Sequence, residues 1–232
     1  MAKAETGRDI QIESADGDFA AYVAIPESGR GPGLVVLQEW WGLVPHIRDV
    51  CDRLARAGYV ALAPDLYRGT STTDPGEAGR LMMELEIDRA GRDMGLAVDA
   101  LRRQPETTGS KVGCIGFCMG GQLALHAACL RSEITAVVDC YGVHPNVELD
   151  FPSCSASVLG VFAENDDFIP ASDVEQLEQS LAAAGVDAKL LTYVGVQHAF
   201  LNESRPDVFD AETSAEAWRD IQTFLESQLG AA

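Results

Sequence analysis

Positive charge is scarce in this chain: of 232 residues, 17 are Lys or Arg against 36 Asp or Glu, for a formal net charge of −19. A field of that sign repels phosphate backbones and anionic lipid headgroups, so neither nucleic acid nor membrane is an expected partner. Long apolar runs are missing too. No window approaches the ~18 consecutive apolar residues needed to cross a bilayer, and the first ten residues lack the apolar stretch of a secretory signal, so a cytoplasmic protein is expected. The six cysteines, at 51, 114, 118, 129, 140 and 154, form no CxxC pair, and the four histidines, at 46, 126, 144 and 198, do not accompany them at zinc-ligand spacing. Reduced thiols are expected, with neither a metal site nor a cofactor.

What is present is the composition of a globular protein, 47% hydrophobic and 23% charged, which excludes disorder as the main state. The length allows one or two domains at about 150 residues each; because α/β folds often reach this size around one core, a single domain over 1–232 is expected. A monomer or a small homo-oligomer is compatible with the sequence.

Two period-two segments, 10–13 and 19–25, flank Ala15-Asp16-Gly17-Asp18 and read as an N-terminal antiparallel hairpin. From Gly33 onward the pattern changes to short continuous apolar runs, at 34–38, 59–64, 112–117, 134–142, 157–163 and 188–194, of the kind buried on both faces of a parallel sheet. Between them lie helical patterns at 47–57, within 77–103, and at 120–130, 172–184 and 211–229. The fold class is therefore α/β, a three-layer αβα sandwich on a mainly parallel sheet, with a helical insertion at about 74–104. In such sheets ligands gather beyond the carboxyl ends of the strands, where loops and helix N-termini converge.

At that edge the run 112–115 enters Gly116-Phe117-Cys118-Met119-Gly120-Gly121 and then the helical QLALHAACL. This is the G-x-S-x-G nucleophile elbow with Cys in the serine position: the turn is tight, so the residues two before and two after the nucleophile must be small. Cys118 is the candidate nucleophile, with the Met119 N–H as an oxyanion donor at the start of the helix. The other five cysteines read as small buried hydrophobes. After the run 157–163 comes an acidic loop in which Asp166 is the candidate acid, with Glu164 and Asp167 as competitors. After 188–194 comes His198, which completes the chain order nucleophile, acid, histidine. His126, inside a helix, and His46, beside Pro45, read as packing or capping residues; His144, in a loop at the same edge, is a candidate pocket residue. Glu39 follows an apolar strand and precedes Trp40-Trp41-Gly42, where the rings would desolvate its carboxylate and raise its pKa.

Taken together, Gln38-Glu39-Trp40-Trp41-Gly42, Pro64-Asp65-Leu66-Tyr67, Gly116-Phe117-Cys118-Met119-Gly120-Gly121, Asp166-Asp167-Phe168-Ile169-Pro170 and His198-Ala199-Phe200 resemble the dienelactone hydrolase family (carboxymethylenebutenolidase-like) over nearly the whole chain. The resemblance implies an α/β-hydrolase fold and a Cys-Asp-His triad at Cys118, Asp166 and His198. It also implies a Glu39 that holds the thiol in check and an oxyanion hole from the Met119 and Trp40 N–H groups. The implied reaction opens a small lactone or activated ester through a covalent thioester. Trp41, His144 and Phe200 are the accompanying substrate-binding candidates. The chain departs from the family at one place: where members that open dienelactones carry an arginine four residues after the histidine, it has Asn202. Arg205, further along, and Arg80, in the insertion, are the candidates to supply that charge.

A different class of function keeps the same scaffold without turnover, as a ligand-binding or thiol redox-sensing protein. The complete set Glu39, Cys118, Asp166 and His198 favours the enzyme.

Overall fold

Alternation inside a continuous apolar run decides which layer each side chain joins. In Leu34-Val35-Val36-Leu37 every residue is buried, but Val35 and Leu37 enter one hydrophobic cluster while Leu34 and Val36 enter another on the opposite face. The computed structural model, which describes residues 7–230, builds one sheet from eight strands, buried through the middle and partly exposed at the edges β1 and β8: β1 (Gly7–Ile12), β2 (Phe19–Ala24), β3 (Gly31–Leu37), β4 (Val60–Pro64), β5 (Thr107–Phe117), β6 (Ile134–Cys140), β7 (Ser157–Asn165) and β8 (Ala188–Gln197).

The strand order is β1-β2-β4-β3-β5-β6-β7-β8. β1 pairs antiparallel with β2, and β2 antiparallel with β4; every other pairing is parallel. The expected N-terminal hairpin is thus present and forms one edge of the sheet.

Helices α1 (Pro45–Arg56) and α6 (Ala211–Leu229) pack on one face. Helix α6 buries Ser214, Ala217, Ile221 and Leu225, one residue per turn, and starts where Asp210 accepts the Thr213 N–H at 2.8 Å. Helices α3 (Ile87–Arg103) and α4 (Met119–Leu130) pack together on the other face, and α5 (Ala171–Ala183) packs on β8.

The sequence pattern over 77–103 contains two helices, α2 (Pro75–Glu84) and α3, separated at Leu85 and Glu86, whose backbones are extended. Leu85 turns inward and is buried in the core, which breaks the helix without Gly or Pro. Helix α3 belongs to the sandwich and buries eight residues, among them Met94, Val98 and Leu101, whereas α2 buries only Ala78 and lends Pro75 and Met82 to the pocket that Cys118 lines.

Candidate active site

The elbow is set by two close approaches. A Cβ on Gly116 would lie 1.8 Å from the Gly120 carbonyl oxygen, and one on Gly120 would lie 2.4 Å from that of Leu37, so only glycine lets α4 rise this close to β5 and β3. Cys118, between them, has φ +53° and ψ −122°, a strained backbone for a residue with a side chain. Its N–H donates to the Cys140 carbonyl at 2.9 Å, and its own carbonyl accepts from Gly121 at 2.9 Å and Val143 at 3.2 Å. Those three bonds hold the strain.

The Cys118 thiol is buried, and the backbone N–H groups of Met119 and Trp40 donate to it. These bonds favour the thiolate, but burial and the nearby Glu39 charge outweigh them and push the thiol pKa up to about 12. Glu39 is itself fully buried, and desolvation raises its pKa from 4.5 to about 7 against the opposing pull of the Arg205 charge and a hydrogen bond from Asn202. In the resting site the proton stays on sulfur.

Asp166 lies in the loop after β7, with both oxygens engaged. Oδ1 accepts the N–H groups of Phe168 at 2.8 Å and Ile169 at 3.1 Å, while Oδ2 is 2.8 Å from His198 Nδ1. A carboxylate only accepts, so Nδ1 carries the hydrogen and Nε2 is left to face the site. The competitors lie elsewhere: Asp167 is exposed, and Glu164 accepts the Gly195 N–H at 2.9 Å.

Glu39, Trp40, Trp41, Cys118 and His198 line one pocket of about 300 Å³, walled further by Met82 and Pro75 of α2 and by Val143, Phe168 and Arg205. Among the described residues Arg205 is the single cation on that wall, and outside the pocket it pairs with Asp207 at 2.6 Å. The structure thus brings Cys118, His198 and Glu39 to one cavity, with Asp166 behind the histidine.

Four substrate-binding candidates lie elsewhere. Arg80 is half exposed on α2 and pairs with Glu77 and Glu84, one helical turn away on either side. Phe200 is buried behind the site against Tyr141 and Tyr193. His144 is buried in a neighbouring cleft, where its Nδ1 accepts the Asn146 N–H at 3.1 Å. Asn202 does not line the pocket; its Nδ2 donates to Glu39 Oε2 at 2.8 Å. Its Oδ1 accepts both the N–H and the hydroxyl of Ser204, at 3.0 and 2.6 Å, which fixes the amide with its donor side toward the carboxylate.

The two other histidines pack. His46 is buried against Phe117, with burial lowering its pKa to about 4, and His126 lies half-buried in the middle of α4. Sequence reasoning passed over Tyr141, whose ring stands 5.0 Å from that of His198, and Phe168, whose ring stands 5.0 Å from it on another side. Phe168 lay within a recognised motif, but nothing in the motif tells which way its side chain points. All six cysteines are free thiols, and among the described residues no group of three or more His, Cys, Asp or Glu is placed to hold a metal ion. Among the described residues no helix is long and apolar enough to cross a membrane.

A mostly parallel sheet with an antiparallel edge, a strand–elbow–helix turn at its carboxyl side and an acid–imidazole pair on the loops beyond define an α/β-hydrolase. The model of the dienelactone hydrolase family matches residues 19–229, and the chain belongs to that family. It is 35% identical over 230 residues to "Protein usf" of Aquifex pyrophilus, an alignment covering 96% of this chain and 99% of that one. It is 33% identical, at the same coverage, to a protein of Aquifex aeolicus (strain VF5) provisionally named a carboxymethylenebutenolidase. Among solved structures, the dienelactone hydrolase-like promiscuous phosphotriesterase P91 from metagenomic libraries superposes with a TM-score of 0.88 at 27% identity, covering 97% of this chain and 99% of that one.

Proposed function

We propose that this protein hydrolyses a small lactone or an activated ester through Cys118 as nucleophile and a covalent thioester. One observation carries the reading: the buried Cys118 thiol, the His198 imidazole oriented by Asp166, and a carboxylate of raised pKa face one apolar pocket. The substrate carbonyl enters beside Trp40 and Met119, whose N–H groups pass from the sulfur to the developing oxyanion. Entry of the ligand shifts Glu39 away from Asn202, and the carboxylate takes the thiol proton. The sulfur then bonds to the carbonyl carbon, the C–O bond breaks, and the alkoxide or enolate leaves with the proton that Glu39 took from the thiol, which returns Glu39 to its carboxylate form. In the second half, His198 Nε2 accepts a proton from water, the water oxygen attacks the thioester carbon, and sulfur departs to be reprotonated.

The walls favour a mostly apolar substrate. Arg205 is the position from which an acidic group on that substrate is met, since Asn202 is neutral and committed to Glu39. A thiolate suits acidic leaving groups, so peptides and triglycerides are poor substrates.

The test is a time course on a dienelactone, an unsubstituted lactone and p-nitrophenyl acetate with wild type and Cys118→Ala. Loss of a nucleophile costs on the order of 10⁴- to 10⁶-fold in kcat, and more than a trace of activity in Cys118→Ala refutes the assignment. Absence of wild-type turnover on all three gives weight to the ligand-binding alternative.

A further inference from the structure

Beside the pocket that holds Cys118 lies a second cleft of about 310 Å³, and the two share the walls Val143 and Phe168. Each alone is at the lower end of the ~300–1,000 Å³ that ligand sites occupy, whereas joined they fall well inside it. We propose that the second cleft is a subsite for an extended acyl arm of the substrate, reached past the Phe168 ring. The inference rests on the hydrolase reading above.

Phe168 is built to serve as a partition. Its ring is 57% exposed and touches Trp40 and His198 edge-on or tilted, at centroid distances of 6.3 and 5.0 Å, so rotation about its side-chain torsions meets solvent rather than core. Its backbone is held by the bond from its N–H to Asp166 Oδ1 at 2.8 Å. The ring can therefore turn aside while the loop that orients His198 stays in place. Val143, on the facing wall, is held by its N–H bond to the Cys118 carbonyl, so the mouth of the cleft opens next to the reacting centre.

The chemistry of the cleft states what it takes. Phe151, Phe162 and Leu177 supply an apolar floor; Gln122 and Ser180 supply hydrogen-bonding ends; Asp173 is its one carboxylate. Neither Lys nor Arg lines it, and burial lowers the pKa of His144, leaving that ring neutral near pH 7. An alkyl arm, alone or with a neutral hydrogen-bonding terminus, fits, whereas an arm ending in a carboxylate meets Asp173 with no counter-charge.

The experiment measures kcat/KM for p-nitrophenyl acetate, butyrate and hexanoate and for the mono-p-nitrophenyl ester of adipic acid. Each methylene that leaves water for an apolar wall adds up to about fourfold, so kcat/KM rises from acetate to hexanoate, and the adipate ester falls at least about tenfold below hexanoate. Val174→Phe, which fills the cleft from the half-buried face of α5, lowers the hexanoate-to-acetate ratio about tenfold or more; Phe168→Ala, at an exposed position, raises it several-fold. A ratio that moves less than about twofold in both variants overturns the proposal. Binding of 2-octanone, an uncleavable ketone, followed by tryptophan fluorescence, separates this inference from the hydrolase reading. If acetate is not turned over but Val174→Phe still weakens the ketone at least about fivefold, the cleft stands and the hydrolase reading falls; ketone binding insensitive to Val174→Phe removes the cleft.

Discussion

Replacing Asn202 by Ala removes one donor from one buried carboxylate, and the consequence can be worked through in numbers. The amide donates to Glu39 Oε2 at 2.8 Å with both partners buried, and its orientation is locked by Ser204. A hydrogen bond to a charged group contributes about 1.5–3 kcal/mol, and here the ionised form of Glu39 receives most of it. At about 1.36 kcal/mol per pKa unit, its loss lifts the Glu39 pKa by roughly one to two units above its present value of about 7. The direction is fixed: desolvation still favours the neutral acid, and only the Arg205 charge remains to oppose it. If ionised Glu39 accepts the thiol proton, the acidic limb of kcat/KM moves to higher pH by the same amount. The assay is initial rates on p-nitrophenyl acetate from about pH 5 to about pH 9, below saturation. Asn202→Asp, which puts a second carboxyl at the same place, displaces the limb at least as far. A limb that stays within about 0.3 unit of wild type in the Ala variant shows that Asn202 does not tune Glu39.

Two further outcomes follow from buried titrating groups. Glu39 has a folded pKa raised from 4.5 to about 7, so the stability present below pH 4.5 is lost as pH rises through about 7, by about 3 kcal/mol in all. Glu39→Gln, which keeps the shape of the protonated acid, is then more stable than wild type at pH 8 by up to that amount and equal to it near pH 4; urea unfolding showing the same difference at both pH values contradicts this. Thiol reactivity inverts the usual expectation for a nucleophilic cysteine. A hydrogen bond from Cys129 lowers the Cys154 pKa, whereas burial and the Glu39 charge raise that of Cys118. Brief exposure to iodoacetamide near neutral pH therefore modifies Cys154 ahead of Cys118 in the ligand-free protein, read by peptide mass mapping; the reverse order means that the resting thiol is not held protonated.

The parts of the fold that were legible were those in which one residue type has one physical solution. Continuous runs such as Leu34 to Leu37 have no amphipathic alternative to a doubly buried strand, and the glycines at 116 and 120 mark a turn where backbone meets backbone. The break at Leu85 had no such mark, because a core position rather than a turn residue ends α2. Asn202 could be recognised as a departure, but its bond to Glu39 spans 163 residues and exists only in the tertiary structure. Arg80 is a different case: it was read as a candidate for the substrate's charge, although the acids three residues before it and four after it, Glu77 and Glu84, stand at the spacing of surface ion pairs on a helix, which is where the structure places it. Phe168 and Val143 become functional only through what lies on both sides of them.

The two oxygens of Asp166 serve different masters: one orients an imidazole, and the other ties down the backbone that carries the Phe168 ring. Charge and shape are thereby wired through a single side chain. A variant such as Asp166→Asn unmoors a wall of the cavity as well as altering the histidine's partner, so its kinetic defect compounds two faults. Drift at this position during evolution would be punished twice, while drift at Phe168 itself, downstream of the anchor, leaves the imidazole's anchor intact and is the freer route to a new substrate.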